Sequence, residues 1–288
     1  MGELGFQGVE KYGEITITGY TGSAEEVVIP ESVNGLPIVA IGDEVFYSKK
    51  LDSVTIPVGI KSIGKRAFYF SQLTSVSIPD SVESIGEYAF ASNKLIKVTI
   101  GNNVKEIGDF AFQSNKLTSV IIPDGITRIG VSAFDSNKLI EVTIGNSVKT
   151  IGKSAFYFNQ LTSVSIPDSV ESIGECAFAR NKLIEVTIGN SVKTIGKSAF
   201  QSNKLTSVTI PDSVISICDN AFLSNQLISI TIPNLKVDYY NLDKGAFPSE
   251  FYEIYESFKY GERRGTYTEE NHKWVKGGKK ITVSSINF

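Results

Sequence analysis

The sequence is poor in the residues that most often carry chemistry. Its 288 residues include one histidine, one tryptophan, one methionine and two cysteines. A metal centre needs several His, Cys or carboxylate ligands at fixed spacing, and no such spacing occurs. Two cysteines do not make a disulfide framework. No apolar run approaches the roughly 18 residues that a membrane-spanning helix requires. The net charge is −3 with a pI near 5.4, so there is no bulk positive charge for nucleic acid. Met1-Gly2-Glu3 has no basic segment followed by an apolar stretch, so no signal peptide is expected there. No sortase-like or lipid-anchor motif closes the other end. Phosphate loops and Ser/His/Asp sets are absent.

What the sequence does have is a period of 22 residues. Phenylalanine recurs at Phe46, Phe68, Phe90, Phe112, Phe134, Phe156, Phe178, Phe200 and Phe222. A fixed period of this size marks a solenoid, in which each coil buries its apolar side by stacking on its neighbours. One copy runs from Leu73 to Lys94. Val76 and Ile78 alternate with small hydroxyls, as in a half-buried strand. Pro79, or Gly101, Gly145 and Gly189 in alternate coils, ends that strand. Val82 and Ile85 form a second apolar pair, Gly86 punctuates it, and Ala89-Phe90 follows in a short helical turn. The expectation is two short strands and one turn per coil, about ten coils, and a rod on the order of 45 Å long at ~4.8 Å per coil. The Phe column is then a continuous core stack. Asn93, Asn115, Asn137, Asn159, Asn181, Asn203 and Asn225 follow Phe by three residues. Their amides suit a ladder that satisfies backbone groups where the chain turns; the alternative is an exposed ligand-binding row.

The string LTSVSIPDSVESIGEYAF resembles the BspA-like leucine-rich repeat of bacterial surface proteins. The resemblance covers Val27 to Pro233, with Asn where many members carry Cys. It implies a right-handed leucine-rich-repeat solenoid, a cell-surface or secreted location, and adhesion or binding to host or matrix proteins.

The coils are also near-copies of one another. Ala67–Ile107 and Ala155–Ile195 differ at six positions: Ser71/Asn159, Tyr88/Cys176, Ser92/Arg180, Lys97/Glu185, Asn103/Ser191 and Glu106/Thr194. Copied coils place like groups along a line, whereas catalysis needs unlike groups at one point. Glu141 and Glu185 share a column about 10 Å apart, two strand spacings. That lies beyond the roughly 6.5–9.5 Å of inverting glycosidases. Their local sequences match, so nothing drives their pKa values apart into acid and base. Cys176 and Cys218 belong to different columns two coils apart, out of disulfide reach.

Three segments follow: an N-terminal cap at residues 1–24, the solenoid at 25–234, and a C-terminal cap at 235–288. In the first cap, Glu14–Thr18 reads as a strand and Tyr20–Gly22 as its turn. The first coil is five residues longer than the rest between Pro30 and Gly42, with Asn34-Gly35 in the extra loop. In the last cap, Phe251, Ile254, Tyr255 and Phe258 share a helical face behind the N-cap Ser249. Gly265–Thr268 and Lys273–Val275 read as a hairpin. The basic residues from Lys259 onward suit either anionic cell-wall polymer or a solvated cap.

Two sets of side chains are candidates for binding. On the concave face that the resemblance implies, Ser75, Lys97, Ser119, Glu141, Ser163, Glu185 and Ser207 form an outward column of hydroxyls and few charges. Tyr69, Phe70, Tyr157 and Phe158, beside the Phe column, are aromatic anchors of the kind that dominate protein interfaces. Both sets also fit plain structural roles. The whole points to a monomeric surface or secreted scaffold for an extracellular protein or glycan, without cofactor, catalysis, nucleic acid or membrane span. An intracellular protein-interaction scaffold is the alternative, and a polysaccharide-active enzyme a remote one.

Overall fold

The structure is a computed structural model that describes residues 5–232, 241–242, 246–247, 265–270 and 273–276. It is a parallel β-solenoid of about ten turns of 22 residues. Each coil contributes two short strands. The second of them, typified by Ser84–Ile85, joins one continuous 13-stranded sheet along the rod. In register, Ile63, Ile85, Ile107 and Ile129 lie one above the next, all buried. The first strand, typified by Ser75–Ser77, alternates exposed, buried, exposed. Its Val points inward and its hydroxyls outward, as the period-2 pattern requires.

No helix occurs among the described residues. The Gly-x-x-Ala-Phe segment forms hydrogen-bonded turns instead of the expected helical turn: the Ala89 amide donates to the Gly86 carbonyl and the Ala91 amide to the Tyr88 carbonyl. The residues two before and two after each Phe have positive φ, such as Tyr88 (56°) and Ser92 (54°). That conformation costs a non-glycine residue about 1 kcal/mol. Bonds between coils offset the cost. The amides of Tyr88, Phe90 and Ser92 donate to the carbonyls of Asp109, Ala111 and Gln113 in the next coil. The turn edge therefore carries its own ladder along the rod.

The Phe column stands against this ladder. Successive rings from Phe46 to Phe222 stack at 4.8–5.5 Å with interplanar angles of 1–11°. The column continues to Phe247, 5.1 Å beyond Phe222. Strand Asn241–Leu242 pairs in parallel with Ser216–Ile217, so this last coil is three residues longer than the repeat. At the other end Tyr20 packs 5.2 Å from Phe46, and Phe6 closes over both. Phe6 comes from strand Phe6–Lys11, which pairs antiparallel with Glu14–Tyr20. Only the second of these strands was expected from the sequence.

The Asn side chains join coil to coil. Asn137 Oδ1 accepts from the Leu117 amide at 3.1 Å, while its Nδ2 donates to the Phe112 carbonyl of the preceding coil (2.9 Å) and the Phe134 carbonyl of its own (3.1 Å). The same three bonds recur at Asn93, Asn115, Asn181, Asn203 and Asn225. At Asn159 the amide donates to the carbonyls of Phe134 and Tyr157. One coil before Asn93, Ser71 replaces Asn, and its hydroxyl reaches the Phe46 carbonyl. No buried side-chain polar atom among the described residues lacks a partner.

The first strands do not form a continuous sheet. They pair in twos: Glu26–Val28 with Ser53–Thr55, Ser75–Ser77 with Lys97–Thr99, Ser119–Ile122 with Glu141–Ile144, Ser163–Ser165 with Glu185–Thr187, and Ser207–Thr209 with Ser229–Ile232. The Pro/Gly alternation accounts for the three middle pairs. A Cβ on Gly101, Gly145 or Gly189 would lie 2.3–2.6 Å from the carbonyl oxygen of Pro79, Pro123 or Pro167, so only glycine permits this approach. In these three couples the residue after Pro is Asp and the residue after Gly is Asn. Asp80, Asp124 and Asp168 accept from the amides of Asn102, Asn146 and Asn190 at 2.7 Å. Between pairs the strands part into seams. There Ser81, Ser169 and Ser213 donate backward to the carbonyls of Ile60, Val148 and Val192 at 2.8 Å. The strand that precedes a seam is the less covered side: Val142 and Val186 are only partly buried, whereas Val164 and Val208 across the seam are buried. Gly101→Ala is therefore expected to cost about 1–3 kcal/mol through a forced backbone shift. Thermal unfolding should show this, and an unchanged midpoint would mean that the Pro79 approach is not required.

The ends are closed by hairpins. Strand Gly265–Glu270 pairs antiparallel with the last first-strand, Ser229–Ile232, and then with Lys273–Lys276. The exposed edge of the repeat is thus covered by the hairpin. The expected Ser249–Phe258 helix lies outside the described residues.

Candidate functional site

The paired-strand face carries the outward column. Ser75, Ser119, Ser163 and Ser207 are exposed, as are Lys97, Glu141 and Glu185. Glu141 and Glu185 lie in different strand pairs at equivalent places. Just before this column, Ile96, Ile140, Ile184 and Ile228 are exposed in every second coil, a feature absent from the sequence-based candidates. Among the described residues no group of His, Cys, Asp or Glu could hold a metal ion, and no helix is long and apolar enough to cross a membrane.

The turn edge carries the aromatic residues. Tyr47 and Tyr69 stack at 5.6 Å, Tyr69 meets Tyr88 edge to face at 6.0 Å, and Tyr88 stacks on Phe110 at 4.5 Å. The Arg66 guanidinium lies 5.6 Å over the Tyr88 ring, and Phe70 stands beside Tyr69 at 6.5 Å. Six residues from four successive coils thus make one ledge. Four coils further on, Tyr157 and Phe158 lie 6.3 Å apart with Arg180 over Tyr157 at 5.9 Å. Sequence reading singled out Tyr69, Phe70, Tyr157 and Phe158. It missed Tyr47, which shares the column of Tyr69, and Arg66, Tyr88 and Phe110, whose signal was a bulky residue in a column that holds Ser132, Ser154 and Ser198 in later coils.

Phe70 and Phe158 stand apart from every other Phe of the solenoid. They are 59% and 56% exposed, and both share with Phe110 a positive φ. The same place in the other coils holds Ser48, Ser92, Ser114, Ser136, Ser202 and Ser224, and Arg180 in one. A bulky residue in this conformation costs stability and here buries little in return.

The cysteines are unpaired. Partial burial, and then the neighbouring Glu175 charge, push the Cys176 thiol up, which keeps it protonated and poorly nucleophilic. The opposite sheet face is laced with ion pairs between coils, such as Lys149–Glu171–Lys193 and Lys153–Glu175. Lys193 and Lys149 hold the Glu171 carboxyl below its usual range. These exposed pairs set register by opposite charge and contribute little energy.

Stacked two-strand coils with an aromatic core column and an asparagine ladder define a leucine-rich-repeat scaffold. The chain belongs to the BspA type leucine-rich repeat region family, whose model matches residues 39–160 and 149–258. It is similar in structure to a leucine-rich repeat protein from Bacteroides ovatus, with 25% identity and a TM-score of 0.65 over 82% of this chain. It spans 65% of that protein's length. It is also similar to the T. pallidum leucine-rich repeat protein, with 29% identity and a TM-score of 0.50 over 68% of this chain and 86% of that one. No curated protein matches the sequence.

Proposed function

We propose that the chain is a non-catalytic scaffold, displayed at a bacterial cell surface or secreted, that captures an extracellular protein through its aromatic ledge. The observation that carries this reading is Phe70. It is an exposed aromatic residue with positive φ, in a column where most coils hold serine. Folding gains little from it, and a partner would gain much, because aromatic and arginine side chains supply most interface hot spots. A protein fits better than a sugar. Tyr47 and Tyr69 stack on each other, as do Tyr88 and Phe110, so their ring faces are turned to one another. Glycan stacking needs open ring faces, whereas a protein surface can grip ring edges and the Phe70 tip. Tyr157 and Phe158 repeat the anchor roughly 20 Å along the rod, four strand spacings away. Two like anchors on a rigid rod favour a multivalent partner. Family membership supports the surface location, and the absence of unlike converging groups supports a role without catalysis.

The test is a binding array of extracellular matrix proteins and glycans probed with wild type and with Phe70→Ser/Phe158→Ser. The double variant should melt no lower than wild type, because serine already serves at these places. It should lose at least about tenfold in affinity for any protein captured, the loss expected from a hot-spot pair. Undiminished protein binding, or capture confined to glycans, would refute the ledge as the site.

A further inference from the structure

One seam on the paired-strand face differs from the other three. Between strands Lys97–Thr99 and Ser119–Ile122 lies a groove of ≈ 510 Å³. The serine that bonds backward across the other seams is replaced here by Gly125, so that hydroxyl bond is missing. No strand ladder crosses the seam. Thr99 is turned to the preceding coil, where its carbonyl accepts from the Ile78 amide at 2.9 Å. By the alternation of a parallel strand, the amide and carbonyl groups of Val98 and Ile100 then point into the groove. The Ile100 amide lacks the cross-coil bond that Ile78 makes.

The side chains add charge and shape. Lys97 lines the groove and has no ion-pair partner among the described residues. The acid that lines it, Asp80, is engaged: its Oδ1 accepts from both the amide and the Nδ2 of Asn102. Thr99 and Ser119 bring hydroxyls, and Ile121, 69% exposed, forms an apolar rim. The copied coil reverses the charge, since Glu185 stands where Lys97 does.

We propose that this groove binds a sugar acid. The carboxylate pairs with Lys97 and the unbonded amides. The ligand hydroxyls donate to the carbonyls that the missing ladder leaves open, and the apolar face of the ring lies against Ile121. A neutral sugar leaves the lysine unused, and a simple carboxylate leaves the carbonyls and Ile121 unused. This site is on a different face from the aromatic ledge and stands or falls independently of it.

The test is an amide chemical-shift titration of the whole chain with D-glucuronate, D-glucose and acetate. Glucuronate should give saturable shifts at Lys97, Ile100 and Ile121 with a dissociation constant on the order of millimolar. Glucose and acetate should each bind at least about tenfold more weakly, a difference of ~1.4 kcal/mol. Lys97→Glu should lose at least that factor while folding normally, because Glu185 already occupies the equivalent strand position. Equal binding by Lys97→Glu, shifts mapping to another face, or no saturation would overturn the site. Acetate binding as tightly as glucuronate would overturn the sugar-acid assignment.

Discussion

Phe134→Ala is expected to destabilise the solenoid by about 3–5 kcal/mol, the usual cost of emptying a buried aromatic site. The ring is fully buried and stacked on both sides, against Phe112 and Phe156 at 5.3 and 5.5 Å. Backbone ladders on the sheet and turn edges pin the coil, so the cavity cannot collapse far. Contacts in a solenoid run only to nearest neighbours. The loss should therefore be local, and distant coils should keep their protection. Hydrogen exchange is the measurement. Fast exchange confined to the coils of Phe112, Phe134 and Phe156, with slow exchange retained near Phe68 and Phe200, is the expected pattern. Uniform loss over the whole chain would mean one indivisible folding unit. An unaltered melting temperature would show that the column is not the core.

Asn137→Leu should cost a comparable amount for a different reason. The leucine fills similar volume but leaves the Leu117 amide and the Phe112 and Phe134 carbonyls without their partner. Each buried group left unpaired costs about 1–3 kcal/mol. Asn137→Asp separates hydrogen bonding from shape. Its oxygen can still accept from Leu117, but a carboxylate cannot donate to the two carbonyls. Their lone pairs disfavour its charge, which raises its folded pKa above the unfolded value of about 3.9. Linkage then gives the sign. The variant is at its best below the unfolded pKa, and it loses stability as pH rises toward and through the raised folded pKa. Wild type and Asn137→Asp should therefore diverge progressively in denaturant midpoint from about pH 4 to pH 7. A constant gap across that range would mean that the side chain is solvated and the ladder is not what holds the turn.

The repeat itself was legible because its signals agree in phase. Phe, Asn, Leu and the alternating Val and Ile all return at one interval, and each occupies one place in the coil. Stacking brings those places into register, so spacing in sequence becomes position in space. Departures from the interval hid what followed. Phe247 belongs to the Phe column, but it follows Phe222 by 25 residues, so periodicity passed over it. Strand Phe6–Lys11 has no repeat partner at all. The hairpin of Gly265–Thr268 with Lys273–Val275 was read from the sequence, but not that its first strand lies along the final edge of the repeat. Edge covering depends on free backbone groups, which leave no mark on the side-chain pattern.

The candidate surfaces were legible in part. Alternation within the strand identified the outward column from Ser75 to Ser207. The aromatic ledge was seen at Tyr69 and Phe70 but not at Tyr88 or Phe110. Tyr88 joins it because the turn brings the residue two before Phe beside the residue one after it in the previous coil, and Phe110 joins by stacking on Tyr88 in the same column. The seams were the least legible. Pro and Gly were visible as strand ends, but their role as opposite halves of a close contact needed the Pro79–Gly101 geometry.

That contact also governs how such a rod can change its length. A Pro coil offers an aspartate forward, and a Gly coil supplies the glycine and asparagine that receive it. Within the alternating stretch from Pro79 to Gly189 the heritable module is therefore the couple, and coils there are gained or lost smoothly in even numbers. A single added Gly coil would set two receiving coils together, with an asparagine facing no aspartate and a glycine facing no proline. The near-identical blocks at Ala67–Ile107 and Ala155–Ile195 are offset by four coils, which keeps this parity.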